Sequence, residues 1–309
     1  MPILANYPNL AKVVSSIERK SMFQKKAIKK LLEGADSNYL VFAEDLVVRL
    51  NKVIDRSDSY EYMAVAYLKY TKSIRVEEMY FAKEHKYRYH EYSDVYKRVY
   101  SRDEYMYDYV VGLCMTQIFW PNHYGIVRFF LDVFIPKVKN CTVGAEVGVG
   151  HGLFHSELLR WIPEMKTTLI DISPMSLKMT QKMISANGID LSRIVAKECD
   201  VQKQILIEDE SLDVLLLGEL IEHLQEGEAV LSSFANKMKQ NGYCFFTTAI
   251  NAPAEDHILL FSTISEIRDM LGRSGWKIHE EHFGTLNGMS VKEAEKGKHN
   301  VNYASIISL

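Results

Sequence analysis

Cysteine is scarce, with four residues in 309, at Cys114, Cys141, Cys199 and Cys244. None falls in a CxxC pair. The sequence therefore offers neither a zinc knuckle nor a thioredoxin-type redox motif, and buried free thiols in a reducing compartment are expected. No apolar run reaches the roughly 18 residues of a membrane span. Residues Met1 to Leu10 lack a basic stretch followed by an apolar core, so no secretory leader is expected and the expected location is cytoplasmic. Strong charge is lacking too. The net charge is −3, distributed as +5 over residues 1–140 and −8 over the remainder. A domain that grips long nucleic acid needs a concentrated basic face. The cluster Lys25, Lys26, Lys29 and Lys30 has instead the spacing of a solvated helix face. No fixed-period repeat or low-complexity tract occurs. These absences argue against membrane and nucleic-acid partners.

What is present is an ordinary globular composition, 47% hydrophobic and 25% charged, long enough for about two domains. The first 115 residues read as helical. Apolar residues recur at three- and four-residue steps from Asn9 to Leu32 (Leu10, Val13, Val14, Ile17, Met22, Phe23, Ile28, Leu31, Leu32), and Gly34 ends the pattern. A second helix is predicted over Tyr39 to Ile54. Of the 18 tyrosines, 13 lie between Tyr60 and Tyr109. They suit helix contacts, or the wall of a pocket for an aromatic or cationic substrate.

From residue 116 the rhythm changes. A helix over Asn122 to Phe134 ends at Ile135-Pro136. Strands are predicted at Thr142–Val147, Thr167–Ile172, Ile194–Cys199, Leu212–Leu217, Tyr243–Ile250, Trp276–Phe283 and Val301–Ser308, with helices between the first five. Ser173 is a ready N-cap with Pro174 at the first helical position, and that helix stops at Gly188. Thr263 and Glu266 make a capping box, with Gly275 closing the helix. This alternation predicts an α/β fold: a Rossmann-like sheet of seven strands, mostly parallel, preceded by an α-helical region. The last two strands lack room for a full crossover helix and should form an antiparallel pair. The expected division is 1–115, helical, and 116–309, the ligand-binding domain.

The strongest chemical signal is Glu146-Val-Gly148-Val-Gly150-His151-Gly152, between the first strand and the helix Leu153–Trp161. Ligands of such sheets bind at the carboxyl ends of strands, and glycines there let the chain turn sharply and a ligand approach the backbone. A dinucleotide fingerprint requires G-x-G-x-x-G. Here the third glycine comes one residue early and Leu153 holds its place. S-adenosylmethionine, which has no phosphate, suits this tighter loop, and Glu146 suits its cationic end. Asp171 ends the second strand, 25 residues after Glu146, where a carboxylate can accept both ribose hydroxyls. Asp200 follows the third strand and could accept from the adenine amino group, with the Val201 amide nearby. Either aspartate could instead cap the next turn, but three acids ending successive strands favour the ligand.

These residues resemble the class I S-adenosylmethionine-dependent methyltransferases, of the small-molecule type. The EVGVGHG loop is similar to their glycine-rich motif I, Asp171 with Ile172 to their ribose site, and Asp200 with Val201 to their adenine site. The run Gly218-Glu219-Leu220-Ile221-Glu222-His223-Leu224 resembles their motif after strand four. The resemblance spans roughly Phe119 to Leu309. It implies fold, cofactor and reaction, with Glu146, Gly148, Gly150, Gly152, Asp171, Ile172, Asp200, Val201, Gly218 and Glu219 binding the cofactor.

The family places the loop after strand four near the transferred methyl group, which makes Glu222 and His223 catalytic candidates. His257 follows strand five, and His123 stands just before the domain. Glu222 and His223 could equally begin the next helix and hold the loop. The set Glu219, Glu222, His223 and His257 also has the makeup of a divalent-metal site. It resembles the E-x-x-E-H run and distant histidine of small-RNA 2′-O-methyltransferases. The interval between the histidines is shorter here and the basic surface is weak, so no metal is expected. The expected function is methyl transfer to a small molecule of specialised biosynthesis, with the helical region covering the site and mediating a homodimer. The alternative is an RNA 2′-O- or protein methyltransferase, metal-assisted or not.

Overall fold

The computed structural model describes residues 2–285 and 288–309. The chain begins with helices α1 (Pro8–Lys20), α2 (Met22–Glu33), α3 (Ser37–Val53) and α4 (Ser59–Glu84). The expected single helix from Asn9 to Leu32 is two. Ser21 is extended (φ −146°, ψ 109°) and its side chain accepts from the Gln24 amide at 3.2 Å, capping α2. A one-residue break leaves the apolar period nearly in phase, which is why periodicity hid it. The short α5 (Tyr92–Val95) leads through a π turn into α6 (Asp103–Phe119), then α7 (Pro121–Phe129). The helix does not stop at Pro136. A second π turn, Phe130–Phe134, precedes α8 (Ile135–Val138), with Pro136 in its first turn. The wider turn accommodates a residue that can neither donate an N–H nor tolerate the carbonyl four residues back.

The alternating part follows as β1 (Val143–Val147), α9 (Leu153–Trp161), β2 (Lys166–Asp171), α10 (Pro174–Ala186), β3 (Ile194–Glu198), β4 (Leu212–Gly218), α11 (Gly227–Ala235), β5 (Met238–Ile250), α12 (Ile264–Arg273), β6 (Lys277–Thr285), α13 (Val291–Lys296) and β7 (Val301–Ser308). One seven-stranded sheet runs in the order β3-β2-β1-β4-β5-β7-β6. β7 is antiparallel to both neighbours, and the other pairs are parallel. The caps at Ser173 and at Thr263–Glu266 are present as expected.

One expected helix is missing. Between β3 and β4 the described chain holds only turns. Ile205, Leu206 and Ile207 are consecutive there rather than spaced by helical steps, and they pack as a run against the core. The sheet buries both faces. α7 with the π turn after it, α9 and α10 cover one through Phe130, Phe134, Leu158 and Ile184, and α11, α12 and α13 cover the other through Phe234, Ile267 and Ala294. A third cluster joins α1, α3, α4 and α6 to Leu153, Met179 and Met183 of α9 and α10. Arg49 of α3 and Glu157 of α9 add a buried ion pair, 2.5 Å apart. The helical region is thereby fixed to the side of the sheet that carries the motif I loop. No helix among the described residues is long and apolar enough to cross a membrane.

Candidate active site

β1 and β4 are adjacent, and the chain leaves them toward opposite edges of the sheet. That reversal opens a crevice at their carboxyl ends, where ligands of such sheets bind. The crevice here is the floor of a cavity of about 790 Å³, roofed by α4, the turn before α6, and α6.

Glu146, Gly148, Gly150, Asp171, Ile172, Asp200, Val201, Gly218, Glu219, His123, His223 and His257 all border this cavity. Gly152 and Glu222 do not. Gly152 (φ +70°) faces α10, where a Cβ would stand 2.7 Å from the Thr180 Cα. Its glycine serves the packing of loop on helix. The Glu222 carboxylate is wholly buried beneath the floor, where it accepts from the Thr248 hydroxyl at 2.8 Å.

The acids at the ends of the first three strands are held differently from one another. The Asp171 carboxylate accepts from the Ser173 amide at 2.7 Å and, at 3.5 Å, from the Gly150 amide, so it braces the glycine loop. Burial raises its pKa to about 6 despite these donors. Asp200 caps its own turn through the Gln202 amide at 3.1 Å while bordering the cavity, so both of its readings apply. Glu146 stands 3.2 Å from His155, which in turn meets the Thr167 hydroxyl at 2.8 Å. Its carboxylate is thus engaged behind the loop, and burial raises its pKa.

After β4, Glu219 takes a left-handed conformation (φ 47°) and its amide donates to the Thr247 hydroxyl at 2.9 Å. After β5, Asn251 is also left-handed (φ 47°). Non-glycine residues there are uncommon, and such strain gathers where loops are aimed at ligands. The two loops bring Glu222, His223 and His257 together: each offers one ligand atom, and these atoms lie within 4.8 Å of one another. The His223 and His257 rings meet edge to face at 4.7 Å. Burial lowers the His257 pKa to about 4, and burial with the adjacent Glu219 pushes Glu222 well above the carboxylate range. A divalent cation there would have to displace the Glu222 proton, since only ionised carboxylates and unprotonated imidazole nitrogens ligate.

His223 Nδ1 lies 2.9 Å from the Asp256 carbonyl oxygen. A carbonyl oxygen only accepts, so Nδ1 carries the donated proton. His123 is held differently: its Nδ1 meets the Thr116 hydroxyl at 2.8 Å, and burial lowers its pKa to about 3.

Sequence reasoning missed three participants. Asp256 is buried at the cavity wall, and its Oδ2 accepts from the hydroxyls of Tyr109 (2.8 Å) and Tyr100 (3.3 Å). The excess of tyrosine was visible, but its carboxylate partner lies about 150 residues away in sequence and left no local signal. His151, inside the motif I loop, also borders the cavity, and burial lowers its pKa to about 4. Asn302 of β7 joins the same wall and accepts from Asn122 at 2.6 Å.

Residues 145–246 match a family model described as a methyltransferase domain. That segment runs from β1 nearly to the end of β5. The ubiquinone biosynthesis O-methyltransferase of Actinobacillus pleuropneumoniae serotype 5b (strain L20) is 27% identical over 127 residues, 41% of this chain and 53% of that protein. The chain thus spans about half the length of the curated relative it matches. Among solved structures, the N-methyltransferase NodS from Bradyrhizobium japonicum WM9, in complex with S-adenosyl-L-homocysteine, aligns with TM-score 0.47 and 15% identity over 70% of this chain and 97% of that one. A SAM-dependent methyltransferase from Aquifex aeolicus aligns with TM-score 0.43 and 14% identity over 58% and 92%.

Proposed function

We propose that the whole protein, whose residues 145–246 match a methyltransferase-domain model, is a class I S-adenosylmethionine-dependent methyltransferase that transfers the cofactor's methyl group to a small acceptor bound beneath α4 and α6. One observation carries this reading. A single cavity joins Gly148, Gly150, Asp171 and Asp200 at one end to His223, His257, Tyr100 and Tyr109 at the other. The first set suits the cofactor, with Asp171 accepting from the ribose hydroxyls and Asp200 facing the adenine. The second set suits an acceptor, and the helical region of residues 1–115 supplies its roof. A roof of helices over the cavity favours a small acceptor over a polymer. Among the described residues the cavity wall contains no arginine, and its lysine, Lys298, is exposed at the rim, which disfavours the phosphates of RNA.

The reaction needs little from the protein beyond alignment and proton removal, because a sulfonium is already a good leaving group. In this reading His223 takes the acceptor's proton on Nε2, with its Nδ1–H fixed by the Asp256 carbonyl oxygen. The acceptor lone pair forms the new bond to carbon as the sulfur–carbon bond breaks. His257 and Glu222 pack the imidazole into place.

A second reading of the same cluster is favoured by the convergence of Glu222, His223 and His257: a divalent ion there would orient the acceptor. The two readings separate on a chelator, which should leave turnover intact under the first and abolish it under the second. For the leading reading, S-adenosylhomocysteine release should be measured with fractionated small-molecule extract as acceptor. His223→Ala should reduce turnover by about 10²–10⁴-fold, with cofactor affinity retained. Undiminished turnover in this variant would remove the base role.

A further inference from the structure

The cavity carries more acidic side chains than the cofactor would use. Glu146, Asp171, Asp200 and Glu219 are the set proposed for the cofactor, yet Asp256 also borders the cavity. Asp256 is 1% exposed; its Oδ2 is taken by two tyrosine hydroxyls, while its Oδ1 is buried with no hydrogen-bond partner. The buried Oε1 of Glu219 is likewise without a partner. Buried carboxylate oxygens left unmatched are expensive, and proteins normally supply a donor or a positive charge. Among the described residues no arginine borders the cavity, and Lys298 stands at the exposed rim. His123, His151 and His257 are kept neutral by burial, and the Nδ1–H of His223, 3.5 Å from Asp256 Oδ2, is already given to the Asp256 carbonyl oxygen and leaves Oδ1 unmatched.

The wall around Asp256 is aromatic. Tyr70 and Tyr109 meet edge to face at 5.3 Å, and Tyr100 stands against His223 at 6.3 Å. Burial and the nearby Asp256 carboxylate raise the pKa of Tyr100 and of Tyr109 well above the ordinary value, so both stay as hydroxyl donors. Aromatic faces attract cations, most strongly when water is excluded. Beyond them the wall turns apolar, with Ile74, Phe81, Val110 and Leu113.

We propose that the acceptor carries an ammonium group, received by the free Oδ1 of Asp256 among the rings of Tyr70, Tyr100 and Tyr109, on a hydrocarbon or aromatic body that fills the apolar part of the cavity. The proposal rests on the methyltransferase reading, since it is the acceptor half of that site which it fills. An anionic acceptor would meet the buried Asp256 carboxylate and, among the described residues, no cationic side chain but Lys298 at the rim. A neutral one would leave Oδ1 without charge compensation.

The test uses the full chain saturated with S-adenosylhomocysteine. Calorimetry compares three probes of one shape and different charge: 2-phenylethylamine, 2-phenylethanol and phenylacetate. The amine should bind at least tenfold more tightly than the alcohol, and phenylacetate should not bind measurably. Asp256→Asn should bring the amine down to the alcohol's affinity. Phenylacetate binding as tightly as the amine, equal binding of amine and alcohol, or no binding of any probe to the cofactor-loaded protein would overturn the proposal. The wild-type comparison stands even where the variant does not fold. Failure of S-adenosylhomocysteine itself to bind would sink the underlying methyltransferase reading instead, and is seen before any probe is added.

Discussion

Asp171 combines two demands on one carboxyl. It braces the glycine loop through the Gly150 amide and, in the proposed site, accepts from the cofactor ribose. Its burial sets a pH dependence. The pKa is raised from 3.8 to about 6 in the folded chain. Because the folded value lies above the unfolded one, the buried charge weighs against the fold above pH 6, and that penalty fades as pH falls toward 4. Cofactor affinity should run the opposite way, since only the ionised carboxyl accepts from both hydroxyls. S-adenosylhomocysteine affinity measured from pH 8 to 5 should therefore be level above about 7 and fall below 6. In Asp171→Asn the pH dependence should vanish. Asp171→Ala should cost about 1.5–3 kcal/mol of binding at neutral pH, and unchanged affinity would place the cofactor elsewhere. Asp171 and the positive-φ glycines were legible in the sequence because they sit at fixed steps from one strand. Asp256 was not, because its role depends on tyrosines from α6 and the preceding turn that reach it only through the fold.

At the scale of elements, the strands and caps were largely readable, and the failures share a cause. Ser21, the π turn before Pro136 and the helix-free β3–β4 connection each depend on local backbone geometry that hydrophobic spacing does not record. How the helical region docks was equally invisible, because Arg49 and Glu157 lie on helices with no sequence relation. Their pair is buried on both sides, and without Arg49 the Glu157 carboxylate keeps only the half-exposed Arg160, 3.7 Å away. Arg49→Ala should lower stability by about 3–5 kcal/mol, read as a drop in the midpoint of thermal or denaturant unfolding. A loss below 1 kcal/mol would mean that Glu157 finds water or another donor. Close contact also joins α4 to α6: a Cβ on Gly112 would stand 2.7 Å from the Ala66 carbonyl oxygen. Gly112→Val should push the two roof helices apart and loosen acceptor binding more than cofactor binding. Equal loss of both affinities would show that the roof does not select for the acceptor.

In the whole molecule, the sheet supplies the floor of the cavity and the helical region its roof, so the site belongs to neither alone. The sequence carried the floor: an early third glycine, three acids on successive strands, and the EH pair after β4. It carried the roof only as an excess of tyrosine with no stated address. In the proposed site S-adenosylmethionine occupies the end of the cavity marked by Gly148 and Asp171. A calorimetric titration of the full chain with S-adenosylhomocysteine and, separately, with NAD tests this placement. One S-adenosylhomocysteine should bind per chain, at least tenfold more weakly in Asp171→Ala, and NAD should not bind. Binding of NAD with none of S-adenosylhomocysteine would contradict it.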